Sequence, residues 1–263
     1  MLAVPDKLFP AEILSGLQTK YIGKKIEYRA RTASTMDVAW QLGAEGAPQG
    51  TLVVAESQTK GRGRFQRQWS SPAQGGVYLS LLLRPRIPPQ EASVLTLLAA
   101  VAVCEAVGEL LGLSLQIKWP NDIFYGDKKI GGILTELDAE MDEIHFVVVG
   151  MGLNVSTSAR DLPDHAQSLM QVVGKEVSRL QVVQQLLVAF ERWYDLFCRK
   201  GSAPVLEAWR TYTTTLGKRI VIQYHNRKSE ALALDIDTDG ALIIRTDAGL
   251  RQRVTAGDIT HCC

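Results

Sequence analysis

The chain reads as an α+β fold, a mixed sheet covered by helices with a small β-barrel attached. Two observations predict it. Short β-branched runs are interleaved with apolar helical stretches through most of the chain. Near Gly217 the rhythm changes, and strands of five to seven residues alternate with turns. No internal repeat or low-complexity tract interrupts either part. The expected division is residues 1–215, of which 1–24 form a short N-terminal extension, and residues 216–263.

The elements follow in order. Residues 25–31 alternate like a strand, and Ser34 opens a helix with Asp37 in the capping-box position. Thr51–Glu56 is a β-branched strand. Residues 58–76 hold glycine, arginine, glutamine and serine with little apolar content, the composition of a long functional or disordered loop. Gly76–Leu83 returns to strand, ended by Pro85, Pro88 and Pro89. Glu91–Leu111 is a helix buried on most sides. Leu115–Trp119 is a strand stopped by Pro120, and Gly126-Asp127 turns a hairpin into Lys129–Glu136. Phe146–Val149 is a buried strand followed by a bend over Gly150–Asn154. Leu180, Val183, Leu187, Phe190, Tyr194 and Phe197 recur at helical spacing and predict a helix packed on the core. Turns at Tyr224–Arg227, Thr238–Gly240 and Asp247–Gly249 delimit the barrel strands.

Composition narrows the function. With 46% hydrophobic and 22% charged residues the chain is ordinary for a soluble protein. A net charge of +1 removes any global reason to expect nucleic-acid binding, so a basic site must be local. The four cysteines show neither metal spacing nor a disulfide framework, and no signal peptide is recognisable, so the expected compartment is the cytoplasm. The charge-free run Ala92–Cys104 falls short of the ~20 residues a membrane span needs.

Two cationic clusters carry the chemistry. Lys60–Arg67 holds four cations and no acid. Gly61 and Gly63 permit close backbone approach, while Arg62 and Arg64 offer planar forks for carboxylate or phosphate. On these residues alone, an anion-binding lid and a solvated charge run stand at even weight. A dinucleotide fingerprint fails at Gln66, and a phosphate-loop pattern fails at Gly132. Lys118 ends a hydrophobic strand and Lys129 opens the returning one, so the two would repel unless an anion lay between them. An opposite charge at ~4 Å contributes about 4 kcal/mol at an effective dielectric near 20. Asn121 and Asp122 read as turn residues. His145, His165, His225 and His261 are scattered, and no nucleophile elbow or metal cage is evident, so no metal ligand is assigned. Cations and backbone amides alone suit a reaction whose substrate brings its own nucleophile.

Ser34-Thr35, Gln58–Arg64, Trp69, Lys118–Asp122, Lys129–Leu134 and Gly152–Asn154 resemble the biotin protein ligases in order and spacing. The resemblance runs from about residue 24 to the end, and the Lys-Trp-Pro-Asn-Asp string separates it from the lipoate ligases of the same fold. It implies a biotin/lipoate ligase-type catalytic domain, an SH3-like barrel, and two half-reactions. Biotin and ATP, with Mg2+, give biotinyl-adenylate, and a lysine of a biotin carboxyl carrier domain then takes the biotinyl group. The resemblance places Lys129 and Arg64 near the carboxylate and α-phosphate, and Lys118 and Asn121 along the triphosphate and its magnesium. Ser34, Thr35, Met36 and Gln58 would surround the biotin ring, with Gly132 and Leu134 beside them. Gly61, Arg62 and Gly63 would line the ligand from the loop, Asn154 would meet the adenine edge, and Trp69 would cover it. Gln66 and Gly131 depart from the commoner glycine and alanine.

Only about 24 residues precede the first strand, too few for the winged helix-turn-helix of some family members, so no DNA partner is expected. The carrier domain would dock by strand addition at a sheet edge, and the resemblance allows a homodimer through the catalytic sheet. Competing readings are a lipoate or octanoate transferase, and a non-enzymatic biotin sensor or nucleic-acid binder. Pyrophosphate release and its acid dependence separate them.

Overall fold

A computed structural model describes residues 6–224 and 227–261. Its centre is α3 (Val94–Leu111), a helix apolar on all sides but that of Glu105 and Glu109 and therefore buried on most of them. Around it runs a seven-stranded sheet in the order β1 (Ile26–Arg29), β2 (Leu52–Ala55), β3 (Gly76–Leu83), β7 (Ile144–Asn154), β6 (Lys128–Ala139), β5 (Asp122–Tyr125), β4 (Gln116–Lys118). Only β1 and β2 pair in parallel; the other ladders are antiparallel, giving the expected mixed sheet. One face packs on α3 and α5 (Arg179–Lys200), and α6 (Ala203–Tyr212) covers α3 further. The other face carries α2 (Thr35–Ala44), through Met36 and Ala39 against Val53, Leu82, Phe146 and Val148. β3 is covered on both faces, which is why its sequence is a continuous apolar run.

Four expectations change. The capping box at Ser34 does not form: Ser34 accepts from Met36 N at 3.3 Å, while Asp37 turns outward to Arg62. Gly150–Asn154 is not a bend, because β7 continues through it and pairs with both β3 and β6. The charge-free run Ala92–Cys104 lies within a longer apolar helical stretch. Pro89–Leu111 spans 23 residues, long and apolar enough to cross a membrane by length and composition, and its 18-residue apolar window, of mean hydropathy 2.1, lies 67% buried within the protein. Residues 6–24, finally, pack into the core rather than extend from it. They contain α1 (Pro10–Gly16), and Leu8, Ile13, Leu17 and Ile22 join the main hydrophobic cluster. Glu191 of α5 accepts backbone N–H groups from Lys20, Tyr21 and Ile22 at 2.7, 2.9 and 2.9 Å.

The barrel is a five-stranded antiparallel sheet ordered β11 (Arg251–Val254), β10 (Leu242–Thr246), β9 (Arg227–Ile236), β8 (Arg219–Tyr224), β12 (Asp258–His261). The expected turn at Tyr224–Arg227 includes His225 and Asn226, which lie outside the described residues. The barrel interior belongs to the same hydrophobic cluster as α3. Trp119 fastens the two parts: its backbone N–H donates to Thr215 Oγ1 at 3.0 Å and its indole to Gly240 O at 3.1 Å.

Arg179, at 1% exposure, fixes the place where the long loop leaves and rejoins the sheet. It donates to Glu56 at 2.8 Å, just past β2, to the Gly76 carbonyl at 3.3 Å, opening β3, and to Asp6 at 3.3 Å. Its removal leaves Glu56 buried without a counter-charge. Arg179→Met is therefore expected to cost about 3–5 kcal/mol in denaturant unfolding, and a loss under about 1 kcal/mol would contradict this.

Candidate active site

A cavity of about 610 Å³ opens between the sheet, the loop and the barrel. Of the residues proposed from sequence, Ser34, Thr35, Met36, Gln58, Arg62, Gly63, Arg64, Trp69, Lys118, Asn121, Lys129, Gly132, Leu134 and Asn154 line it. Gly61 does not. It sits at the loop root, where Trp69 N donates to its carbonyl at 2.9 Å and a Cβ would meet Trp69 O at 2.5 Å.

Two linings differ in character. Near the N-terminus of α2 the wall is polar and buried: Gln58 Oε1 accepts from Thr35 N at 2.7 Å and Thr35 Oγ1 at 3.2 Å. Gln58 Nε2 donates to Ser71, and Ser80 donates to Thr35 Oγ1 at 2.8 Å. Met36, Leu134, Gly150 and Met151 supply apolar wall beside it. A Cβ on Gly150 would fall 2.5 Å from the Met36 sulfur, so the glycine is what admits Met36.

The second lining is cationic, with Arg62, Arg64, Arg67, Lys118 and Lys129 against Asp122 and Asp258. The two lysines do not lie on neighbouring strands as expected. β5 runs between them, pairing Lys118 with Asp122 on one side and bonding to β6 on the other. Asp122 is thus a strand residue rather than a turn residue, and its Oδ1 lies 2.6 Å from Lys129 Nζ. Part of the anion that the sequence demanded is the protein's own. Asn121 donates to Ile133 O at 2.8 Å, which commits its amide to the sheet.

Arg67 pairs with Asp258 of the barrel, leaving Lys118 and Arg64. Among the described residues neither has a carboxylate within ion-pair distance; Lys118 lies over the Phe124 ring, and Arg64 donates to Gly257 O at 3.1 Å. Burial pushes the proton affinity of both below the ordinary range for their type, with Asp122 pulling back on each. Desolvated cations of this kind are poised for an anionic ligand.

The loop is an ordered turn rather than an open segment. Gly63 N donates to Arg67 O at 2.7 Å, and Arg64–Gln66 form a 3-10 turn. Phe65 and Gln66 adopt φ of 54° and 59°, a left-handed backbone that costs a side-chain-bearing residue about 1–2 kcal/mol. Arg62 departs from expectation, because its guanidinium is already engaged by Asp37 and Glu136 at 3.0 Å each. Sequence reading also missed Gln223, Asp258, Ile259 and Thr260, barrel residues that complete the cavity from far along the chain.

Trp69 lies on the floor of the cavity. Its ring is 5.4 Å from Lys129 Nζ, and among the described residues its buried indole N–H has no hydrogen-bond partner. The floor is flat there because a Cβ on Gly152 would stand 2.7 Å from the indole. Gly152→Ala should therefore displace this ring, seen as a shifted 19F resonance of fluorotryptophan-labelled Trp69; an unmoved resonance would contradict the packing.

Comparison with known proteins follows the same outline. Residues 28–154 match the biotin/lipoate A/B protein ligase family, and residues 215–261 match the biotin protein ligase C-terminal domain. The bifunctional ligase/repressor BirA of Bacillus subtilis is 40% identical over 97% of this chain and 80% of its own. The biotin–[acetyl-CoA-carboxylase] ligase of Paracoccus denitrificans is 34% identical over 88% of this chain and 98% of its own. Among solved structures, the biotin protein ligase of Aquifex aeolicus in complex with biotin and ATP superposes with a TM-score of 0.76. It is 27% identical, over 91% of this chain and 99% of that one. The chain belongs to the biotin/lipoate A/B protein ligase family and is built as a biotin protein ligase, catalytic domain and C-terminal domain together.

Proposed function

We propose that this protein activates biotin with ATP as biotinyl-adenylate and transfers the biotinyl group to a lysine of a carboxylase's carrier domain. The observation that carries the reading is the pair Lys118 and Arg64, desolvated cations that, among the described residues, have no carboxylate within ion-pair distance, in a cavity whose other wall is polar and buried. That wall suits the ureido ring of biotin, which offers both donors and acceptors. A dithiolane or alkyl chain would leave Ser34, Thr35 and Gln58 facing a group that cannot bond them, which disfavours lipoate and octanoate.

In the first step a biotin carboxylate oxygen attacks the α-phosphorus. The bond from that phosphorus to the bridging oxygen breaks, and pyrophosphate leaves with the electron pair. Both reactants are anions, so the barrier is lowered by bringing them together and by cations where charge accumulates. Lys129, braced by Asp122, and Arg64 serve the carboxylate and α-phosphate; Lys118 serves the departing phosphates. In the second step the neutral amine of the carrier lysine attacks the acyl carbon, the bond to AMP breaks, and the amine proton passes to solvent. Trp69, whose ring lies on the cavity floor, and Asn154 form the nucleotide's surface.

Magnesium bound with the nucleotide would supply further neutralisation of charge on the departing phosphates. Among the described residues no three acidic, histidine or cysteine side chains gather as a cage. Phosphate oxygens and water would then hold it, the usual arrangement for this small, reluctantly dehydrated ion. Residues 1–215 and 216–263 work as one site, because Asp258, Ile259 and Thr260 stand in the cavity wall. The cytoplasm, where carboxylases and ATP meet, is the proposed compartment.

Mass spectrometry of a purified carrier domain incubated with the protein, biotin and magnesium-ATP tests the reading. One biotinyl adduct, absent without ATP and absent with lipoate or octanoate, is the expected result; no adduct, or an octanoyl adduct, would overturn it. Lys118→Gln should raise the KM for ATP by about ten-fold or more, since a phosphate contact of a few kcal/mol is lost. An unchanged KM would remove Lys118 from the phosphate site.

A further inference from the structure

Arg62 is the loop cation whose charge is already met. One nitrogen, Nη2, lies 3.0 Å from Asp37 Oδ1 on α2 and donates to Glu136 Oε2 on β6 at 3.0 Å. Neither carboxylate lines the main cavity; both belong to a separate groove beside it, with Trp40 and Leu137. One guanidinium therefore ties the loop to a helix and to the sheet at once.

The opposite side of the loop is tied as well, through Arg64 to Gly257 O and Arg67 to Asp258. Between these fastenings lie Phe65 and Gln66, both left-handed without being glycine. Backbone of that kind keeps its shape only where contacts on its flanks hold it. Arg62 bridges across the same turn to Gln68, so the Asp37 and Glu136 contacts bear directly on the turn's position.

We propose that Asp37 and Glu136 are positioning residues, which hold Arg62 as a strap that keeps the loop closed over the bound acyl-adenylate without touching it. This rests on the ligase reading above. A rival role for Arg62 predicts the opposite sign. If Arg62 were a ligand cation for which the two acids compete, neutralising them would release it toward the ligand and slow dissociation. As a strap it loses its anchors, and dissociation quickens. Both pairs are half-exposed, with side-chain exposures of 40% for Arg62, 50% for Asp37 and 32% for Glu136, so salt should weaken the strap too.

The test uses the full chain and its Asp37→Asn/Glu136→Gln variant, loaded with biotin and magnesium-ATP, with adenylate release followed by chase. At low ionic strength the variant should release adenylate about two- to ten-fold faster. The parent should approach the variant's rate at about 0.5 M salt. The first-turnover rate of biotin-dependent pyrophosphate formation at saturating substrates should match in the two proteins, a split that general loosening of the fold would not give. Equal or slower release by the variant overturns the strap. A parent protein that forms no adenylate would instead overturn the ligase reading, so the two failures are distinct.

Discussion

Two positive charges withdrawn from water, with no carboxylate paired to them among the described residues, organise this protein. Lys118 stands at the end of β4 and Arg64 on the loop, each partly buried and, among the described residues, each without a carboxylate at ion-pair distance. Taking cations out of water is costly unless something anionic compensates, and the fold withholds that compensation selectively. β5 lies between the two lysine-bearing strands and supplies one carboxylate, Asp122, which pairs with Lys129. Arg62 and Arg67 are met by acids at the margins. What remains is a pocket short of negative charge, to which a nucleotide and an acid bring what is missing.

The architecture serves that imbalance. α3 gives the sheet an apolar foundation, and α5 clamps the N-terminal segment and, through Arg179, both roots of the loop. The barrel does more than follow the catalytic domain. It presents a carbonyl and a carboxylate to Arg64 and Arg67, so the loop is suspended between two domains that share one core. The left-handed turn at Phe65 and Gln66 is the local consequence of being held from both sides.

Much of this was legible in the sequence, because the chemistry-bearing residues are local. The Lys118–Asp122 string, the hairpin at Gly126 and the glycine-arginine loop are each contiguous, and all but Gly61 of the proposed residues meet in one cavity. What was not legible is pairing at a distance. Nothing near Arg62 announces Asp37 or Glu136, and nothing near Arg67 announces Asp258, since such contacts depend on how finished elements pack. Asp6 with Arg179 and Lys20 with Glu191 are likewise separated by more than 170 residues. Gly150–Asn154 misled for a different reason. Its glycines look like a bend, yet they serve close approach, of Met36 to Gly150 and of Trp69 to Gly152, within an unbroken strand.

The most direct measurement is the protonation of Lys118 itself, followed by NMR of the isotope-labelled side chain, assigned through Lys118→Arg. In the free protein its ammonium should titrate below the ordinary lysine range, because burial disfavours the charged form. Bound nucleotide should carry the titration upward again, as phosphate restores the missing counter-charge. A Lys118 that titrates as a free lysine does, and ignores the nucleotide, would contradict the account at its root.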